Sequence, residues 1–275
     1  MVNLKYTNDN GESITIGYSP PFWLIDKDGF SNVNNEINSS KSIYQDGETE
    51  NSSTLSSRYI TVQGEYLVTN IQEGRNKLIR VFNPKLKGIL TYNEGTFSKT
   101  IECRPESSPF ITKLQGATFS FIINLYCPNP YWRDISISDE EMVTWTGGMT
   151  FPLSLPTEFA MAGERIINII NNGDVATPIT LEISGTATNP KITNTLTGEY
   201  IKVNRTLVDG DTLIITTEFA NKRVEQNGIN VFNYIDLNST FFSLNPGDNV
   251  IELTTDDIND NATIRINYRN RYLGV

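Results

Sequence analysis

Histidine is absent from the 275 residues, and cysteine occurs only twice. Without histidine, Ser-His-Asp and Cys-His nucleophiles are excluded, together with most transition-metal sites. Cys103 and Cys127 have no CxxC spacing and no histidine beside them, so they cannot assemble a zinc centre. Both lie in strand-like segments and read as buried thiols, with a cross-strand disulfide open if the protein ends its life outside a cell. Neither a GxxxxGK[ST] loop nor a strand-to-helix GxGxxG is present, so no cofactor is expected. No run of about 18 apolar residues occurs, which argues against membrane insertion. The amino terminus, MVNLKYTNDNGES, lacks the apolar core of a signal peptide, so we expect a soluble product of a cytoplasm. Bases are scarce: 22 against 32 acids leave a net charge of −10, unsuited to nucleic acid or an anionic membrane.

Acids are plentiful, and a glycoside hydrolase needs only two of them across a cleft. Glu94, Glu102, Asp139, Glu140 and Glu141 qualify by type, but nothing in the sequence pairs any two, so the chain does not read as an enzyme. In TDDINDNATI, Asp257, Asn259 and Asn261 fall at alternate positions like the start of a calcium loop. However, Ala262 stands where that loop requires Gly and Tyr268 where it requires Glu, so a turn is expected.

What is there is β-structure. ATFSFIINLYC alternates, with Phe119, Phe121, Ile123 and Leu125 on one face. RYITVQGEYLV, GILTYNE and TFSKTIECR behave similarly, with Asn93-Glu94-Gly95 as a hairpin turn. Residues 26–57 are polar and aperiodic and read as a long loop or arm. One helix is expected, from Glu73 to about Phe82, stopped by Pro84. Its apolar set is Leu78, Ile79, Val81 and Phe82, while Arg75, Lys77, Arg80, Lys85 and Lys87 form a run of bases suited to an acidic surface on another subunit. After residue 145 short strands recur with turn signals, including Asn171-Asn172-Gly173-Asp174 and Pro246-Gly247. We read VFNYIDL as a further strand and FFSLNPGDNVIELTT as a strand pair. That texture indicates an antiparallel sandwich. In NLYCPNPYWRD, Pro128 and Pro130 end a strand. Tyr131 and Trp132 are expected to pack between domains, and Trp145 is a residue that could stack on a sugar ring.

In their order, GEYLVTNIQEGRNKLIRVFNPKLKGILTY, FSFIINLYCPNPYWRD, IINNGDVATPITLEISG, TGEYIKV and FFSLNPGDNVIEL resemble the distal tail (Dit) proteins of siphophages. The Cys-Pro-x-Pro-Tyr-Trp segment, residues 127–132, is the most specific part. The resemblance implies a mainly β fold: a belt-type domain with one helix and a long arm over 1–138, then a galectin-like sandwich over 139–275. It implies a structural protein of the virion tail tip, forming a hexameric ring that joins the tail tube to the host-adsorption apparatus. Implied partners are further copies of the chain, the tail tube protein, a tail-associated lysin or tip protein, and a receptor-binding protein. The region 146–275 is too short to hold the extra carbohydrate-binding module of some members. The alternative is a carbohydrate-binding sandwich engaging host surface glycans.

Overall fold

The computed structural model describes residues 1–67, 70–113, 118–143, 145–146, 161–162, 165–257 and 259–275. The chain divides into two compact units: residues 1–135 with 272–275, and residues 136–271. The last four residues belong with the first unit, which no local pattern in them announces.

The first unit contains β1 (Val2–Asn8), β2 (Ser13–Ile16), β3 (Phe22–Asp28), β4 (Asn35–Ser40), β5 (Thr49–Leu55), β6 (Arg58–Tyr66), α1 (Ile71–Val81), β7 (Gly88–Glu94), β8 (Phe97–Pro105), β9 (Phe110–Lys113), β10 (Phe119–Cys127) and β11 (Trp132–Asp134). The main sheet runs β2-β1-β7-β8-β10-β6-β3, with β9 on β10 and β11 on β8. Period-2 alternation builds it: along β10, Phe119, Phe121, Ile123, Leu125 and Cys127 are all buried, while Ser120, Ile122, Asn124 and Tyr126 face away. The turn between β7 and β8 is tight, Glu94 standing opposite Phe97, and Gly95 takes φ +62° there.

The helix closes this core. Asn70 caps it, its Oδ1 accepting from the Glu73 N–H at 3.2 Å and its Nδ2 donating to Glu73 Oε2 at 3.0 Å. Leu78, Val81 and Phe82 are buried as expected, whereas Ile79 is exposed. Gly74 is required because a Cβ there would meet the Tyr66 ring at 2.4 Å. Tyr6 stacks on Phe82 and Tyr66 on Phe119, so aromatic rings seat the helix from both sides.

The second unit contains β12 (Ser138–Val143), β13 (Trp145–Thr146), β14 (Met161–Ala162), β15 (Ile166–Asn171), β16 (Ile179–Gly185), β17 (Ala187–Thr188), β18 (Lys191–Asn194), β19 (Tyr200–Lys202), β20 (Thr206–Leu207), β21 (Thr212–Thr216), β22 (Arg223–Gln226), β23 (Ile229–Asn230), β24 (Gly247–Thr254) and β25 (Ala262–Tyr268). One sheet is ordered β12-β25-β16-β21-β22-β23, the other β15-β24-β18-β19, and neighbouring strands in both are antiparallel. Leu181, Ile215 and Ile264 of the first share a single core with Ile169, Ile192 and Ile251 of the second, which makes the unit a sandwich.

The Asn171-Asn172-Gly173-Asp174 turn stands between two strands, as expected, and because β15 and β16 lie in different sheets the segment crosses between layers. Buried Asn171 holds that crossing, its Nδ2 donating to the Val175 and Leu244 carbonyls and its Oδ1 accepting from Gly173 N–H. Most of VFNYIDL is not a strand: Phe232–Tyr234 is a 3-10 turn, because Asn230 Oδ1 takes the Phe232 N–H at 2.9 Å and curls the chain. FFSL likewise forms no strand, although Gly247 turns the chain at φ +90° into β24.

Candidate assembly surface

With no catalytic constellation in the sequence, the features to place are the polar arm, the bases near the helix, and the aromatic segment at 127–134. All three lie in the first unit.

The arm is an ordered hairpin rather than a long loop. β4 and β5 pair antiparallel from Asn35↔Leu55 to Ser40↔Thr49, with a register shift between Asn38 and Ser39. Sequence periodicity missed it because neither face is apolar. Its cross-strand links are polar: Ser56 Oγ donates to Glu36 Oε1 at 2.8 Å, Ser40 Oγ to Asn51 Oδ1 at 3.3 Å, and Ser39 Oγ to Glu48. Every residue of β4 is exposed, and so is every residue of β5 except partly buried Leu55. At the tip Ile43 is 85% and Tyr44 101% exposed. Residues 35–55 hold Glu36, Asp46, Glu48 and Glu50 against Lys41 alone. The hairpin is therefore acidic, with an apolar tip.

Its root is held by Arg58, which in the sequence is no more than a charge opening an alternating strand. The side chain is 2% exposed and donates only to backbone carbonyls. Nε reaches Pro130 O at 2.8 Å; Nη1 reaches Gly29 O at 2.8 Å, Phe30 O at 3.0 Å and Asn32 O at 2.9 Å; Nη2 reaches Leu273 O. Burial lowers the Arg58 pKa from its ordinary value, and the five carbonyl dipoles supply the stabilisation that a carboxylate would otherwise give. One cation thus fastens the entry to the hairpin, the C-terminal tail and the Pro130 segment. Gly29 fits no other residue, with φ +81° and a Cβ position 1.9 Å from Tyr59 O.

The aromatic segment joins the same knot. Trp132 is fully buried, its Nε1 donating to Phe30 O at 3.0 Å, its ring stacked on Phe30 and edge-on to Tyr92. These partners belong to the first unit's own core, which replaces the interdomain wedge expected of Trp132. Tyr131 is partly buried, and its N–H donates to Asn129 Oδ1 at 3.2 Å. Asp134, at the end of the segment, pairs with Lys99. Burial lowers the Lys99 pKa, but Asp134 and the Tyr272 hydroxyl outweigh it and leave the ammonium above its ordinary value.

The five bases do not form one patch. Arg80 Nε already pairs with Glu12 Oε1 at 2.7 Å. Arg75 lines a shallow recess with Ile71, Ile111, Thr118 and Phe119, and Lys87 lines a different cavity with Asp9 and Glu102 in its wall. On a helix, residues two apart face different directions, so Arg75 and Lys77 diverge. Arg75, Lys77, Lys85 and Lys87 are all exposed.

In the second unit the side chain of Trp145 lies outside the described residues. Asp257 makes a turn, accepting from the Asn259 N–H at 2.9 Å, in keeping with the turn expected there. Among the described residues no group of three or more His, Cys, Asp or Glu is placed to hold a metal ion, and no helix is long and apolar enough to cross a membrane. Cys103 and Cys127 are both buried free thiols.

Residues 172–272 match the family of siphovirus-type tail components, C-terminal domain. No sequence among curated proteins matches the chain. Among solved structures it is similar to SPP1 Dit, described as a paradigm of the hub adsorption apparatus in phages infecting Gram-positive bacteria. That likeness has a TM-score of 0.70 at 17% identity and covers 98% of this chain and 99% of that one. Chains of the phage P2 baseplate in its activated conformation, with calcium or strontium, align over their whole length at 12% and 13% identity, both with a TM-score of 0.49. Residues 172–272 thus match the C-terminal domain of siphovirus-type tail components, and nearly the whole chain shares its fold with SPP1 Dit.

Proposed function

We propose that this chain is a structural hub of a phage or phage-like tail tip, with no catalytic role. Six copies form a ring through the first unit, and the ring joins the tail tube to the adsorption apparatus. Its two faces receive the tube protein on one side and a tail-associated lysin or tip protein on the other, with a receptor-binding protein docking at the periphery. The second unit, read as galectin-like, serves as the outward support for such docking.

One observation carries this reading: the β4–β5 hairpin is ordered yet buries almost nothing within its own chain. An isolated two-stranded hairpin is marginal in water, and a rigid root is wasted on an element that touches nothing. A neighbouring copy supplies the missing cover. The hairpin carries four acids against one base, while Arg75, Lys77 and Lys85 are exposed cations on the same unit. An acidic element meeting a basic one on the next copy is a heterologous contact, which closes into a ring when the rotation is right.

The test is charge reversal with rescue. Lys77→Glu with Lys85→Glu should weaken assembly in sedimentation velocity, most at low salt. Glu48→Lys with Glu50→Lys in the same chain should restore part of it. Unchanged sedimentation of the first variant would remove Lys77 and Lys85 from the interface.

A further inference from the structure

Cys103 and Cys127 were the least informative letters of the sequence, but the strand register gives them a relationship. β8 and β10 pair antiparallel through Leu125↔Pro105 and Tyr126↔Arg104. Continuing that register by one step sets Cys127 opposite Cys103. Opposed residues alternate between hydrogen-bonded and non-hydrogen-bonded pairs. The Glu106 N–H donates to Asn124 O at 3.0 Å, so 106/124 is a hydrogen-bonded pair. Counting along, 105/125 is non-hydrogen-bonded, 104/126 hydrogen-bonded and 103/127 non-hydrogen-bonded. In the last class the side chains stand closest, within the Cα separation that a disulfide spans. Both thiols are buried on the core side, and the Cys103 pKa is raised by the Cys127 thiol beside it and by burial.

The position is also a structural seam. β8 pairs with β7 up to Cys103 and with β10 only from Arg104 onward, so the pair sits where β8 passes from one neighbour to the other. A cavity of about 370 Å³, lined by Ile89, Arg104, Tyr126 and Pro128 among others, has Cys103 in its wall and admits solvent to this seam.

We propose that Cys103 and Cys127 are a latent covalent staple, which closes to a disulfide when the protein passes from a reducing to an oxidising medium. Two S–H bonds break and one S–S bond forms. The two electrons and two protons go to dissolved dioxygen, which becomes hydrogen peroxide. The attacking species is a thiolate, and the thiol environment disfavours it, so closure is slow at neutral pH and accelerates as pH rises. The bond closes the chain from Cys103 to Cys127 and ties the β7–β8 side of the sheet to the β10–β6 side.

The experiment uses the full chain, held either in air-saturated buffer at pH 8.5 or with a phosphine reductant. Each sample is then denatured, alkylated with iodoacetamide and weighed intact. The air-exposed protein should take no label and weigh about 2 Da less than the unlabelled dithiol chain, while the reduced protein should weigh more than that chain by the mass of two labels. Its first unit should melt roughly 5–10 °C higher than the reduced protein, and Cys103→Ser should abolish both differences. Two labels retained after prolonged exposure, a disulfide-linked dimer on a non-reducing gel, or a disulfide without a thermal shift would each overturn the proposal.

Discussion

The two units of this chain solve the same problem with different side chains. The described core of the first contains nine aromatic residues, among them Tyr6, Phe30, Tyr92 and Trp132, and packs around buried Arg58. That of the second is almost wholly Ile, Leu and Val, with Phe242 and Tyr268 as its aromatics. An aliphatic sandwich core stands on shape and burial, each fully buried side chain contributing about 1.5–3 kcal/mol. An aromatic core with polar tips can do something further: it ties loops, tails and a hairpin root to defined hydrogen-bond partners. The unit with the protruding hairpin is the unit with such a core.

Perturbations should therefore separate two melting transitions. The largest effect is expected for Trp132→Ala, which removes the indole and its bond to Phe30 O and should cost the first unit about 3–5 kcal/mol. Calorimetry should show the second transition unmoved. Arg58→Met leaves five carbonyls without their donor and should cost about 3 kcal/mol, with Arg58→Lys recovering part of it. Alkaline pH should divide the units next. Burial pushes the Tyr92 hydroxyl up to about 12, helped by its 2.8 Å bond to Glu94, and burial also raises Tyr6, whose hydroxyl has no partner. A raised folded pKa means that the stability is fully present below the unfolded value near 10 and lost as pH rises towards the folded one. The first transition should therefore fall by several degrees between about pH 10 and 12, read beside tyrosinate absorbance. Tyr200 of the second unit shifts the same way, through desolvation and Asp236, but it lies outside that core and should matter less. Smallest is Glu12→Ala, which releases Arg80 from an exposed pair and should change stability by about 0.5 kcal/mol or less.

These expectations also mark what the letters carried. Alternation placed β6, β8 and β10 and the faces they bury, because a side-chain period of two is a local property. The helix followed from Leu78, Val81, Phe82 and the Pro84 stop. The hairpin at 35–55 was illegible as structure because polar cross-strand bonds leave no periodic trace. The Arg58 knot was illegible because its partners, from Gly29 to Leu273, are distant in sequence and are backbone atoms, which carry no letter of their own. Trp132 was marked as a packing residue, but the choice of partner depended on Phe30 and Tyr92 arriving from elsewhere in the fold. The base run was visible, yet only three-dimensional placement shows that Glu12 already engages Arg80.

The most direct test of the assembly claim compares the intact chain with one in which residues 35–55 are replaced by a short Gly-Ser turn, using light scattering on both. The intact protein should weigh about six times its 30.9 kDa chain, and the shortened one should be a monomer with both melting transitions retained. A monomeric intact chain, or a shortened chain that assembles as well as its parent, would contradict the account.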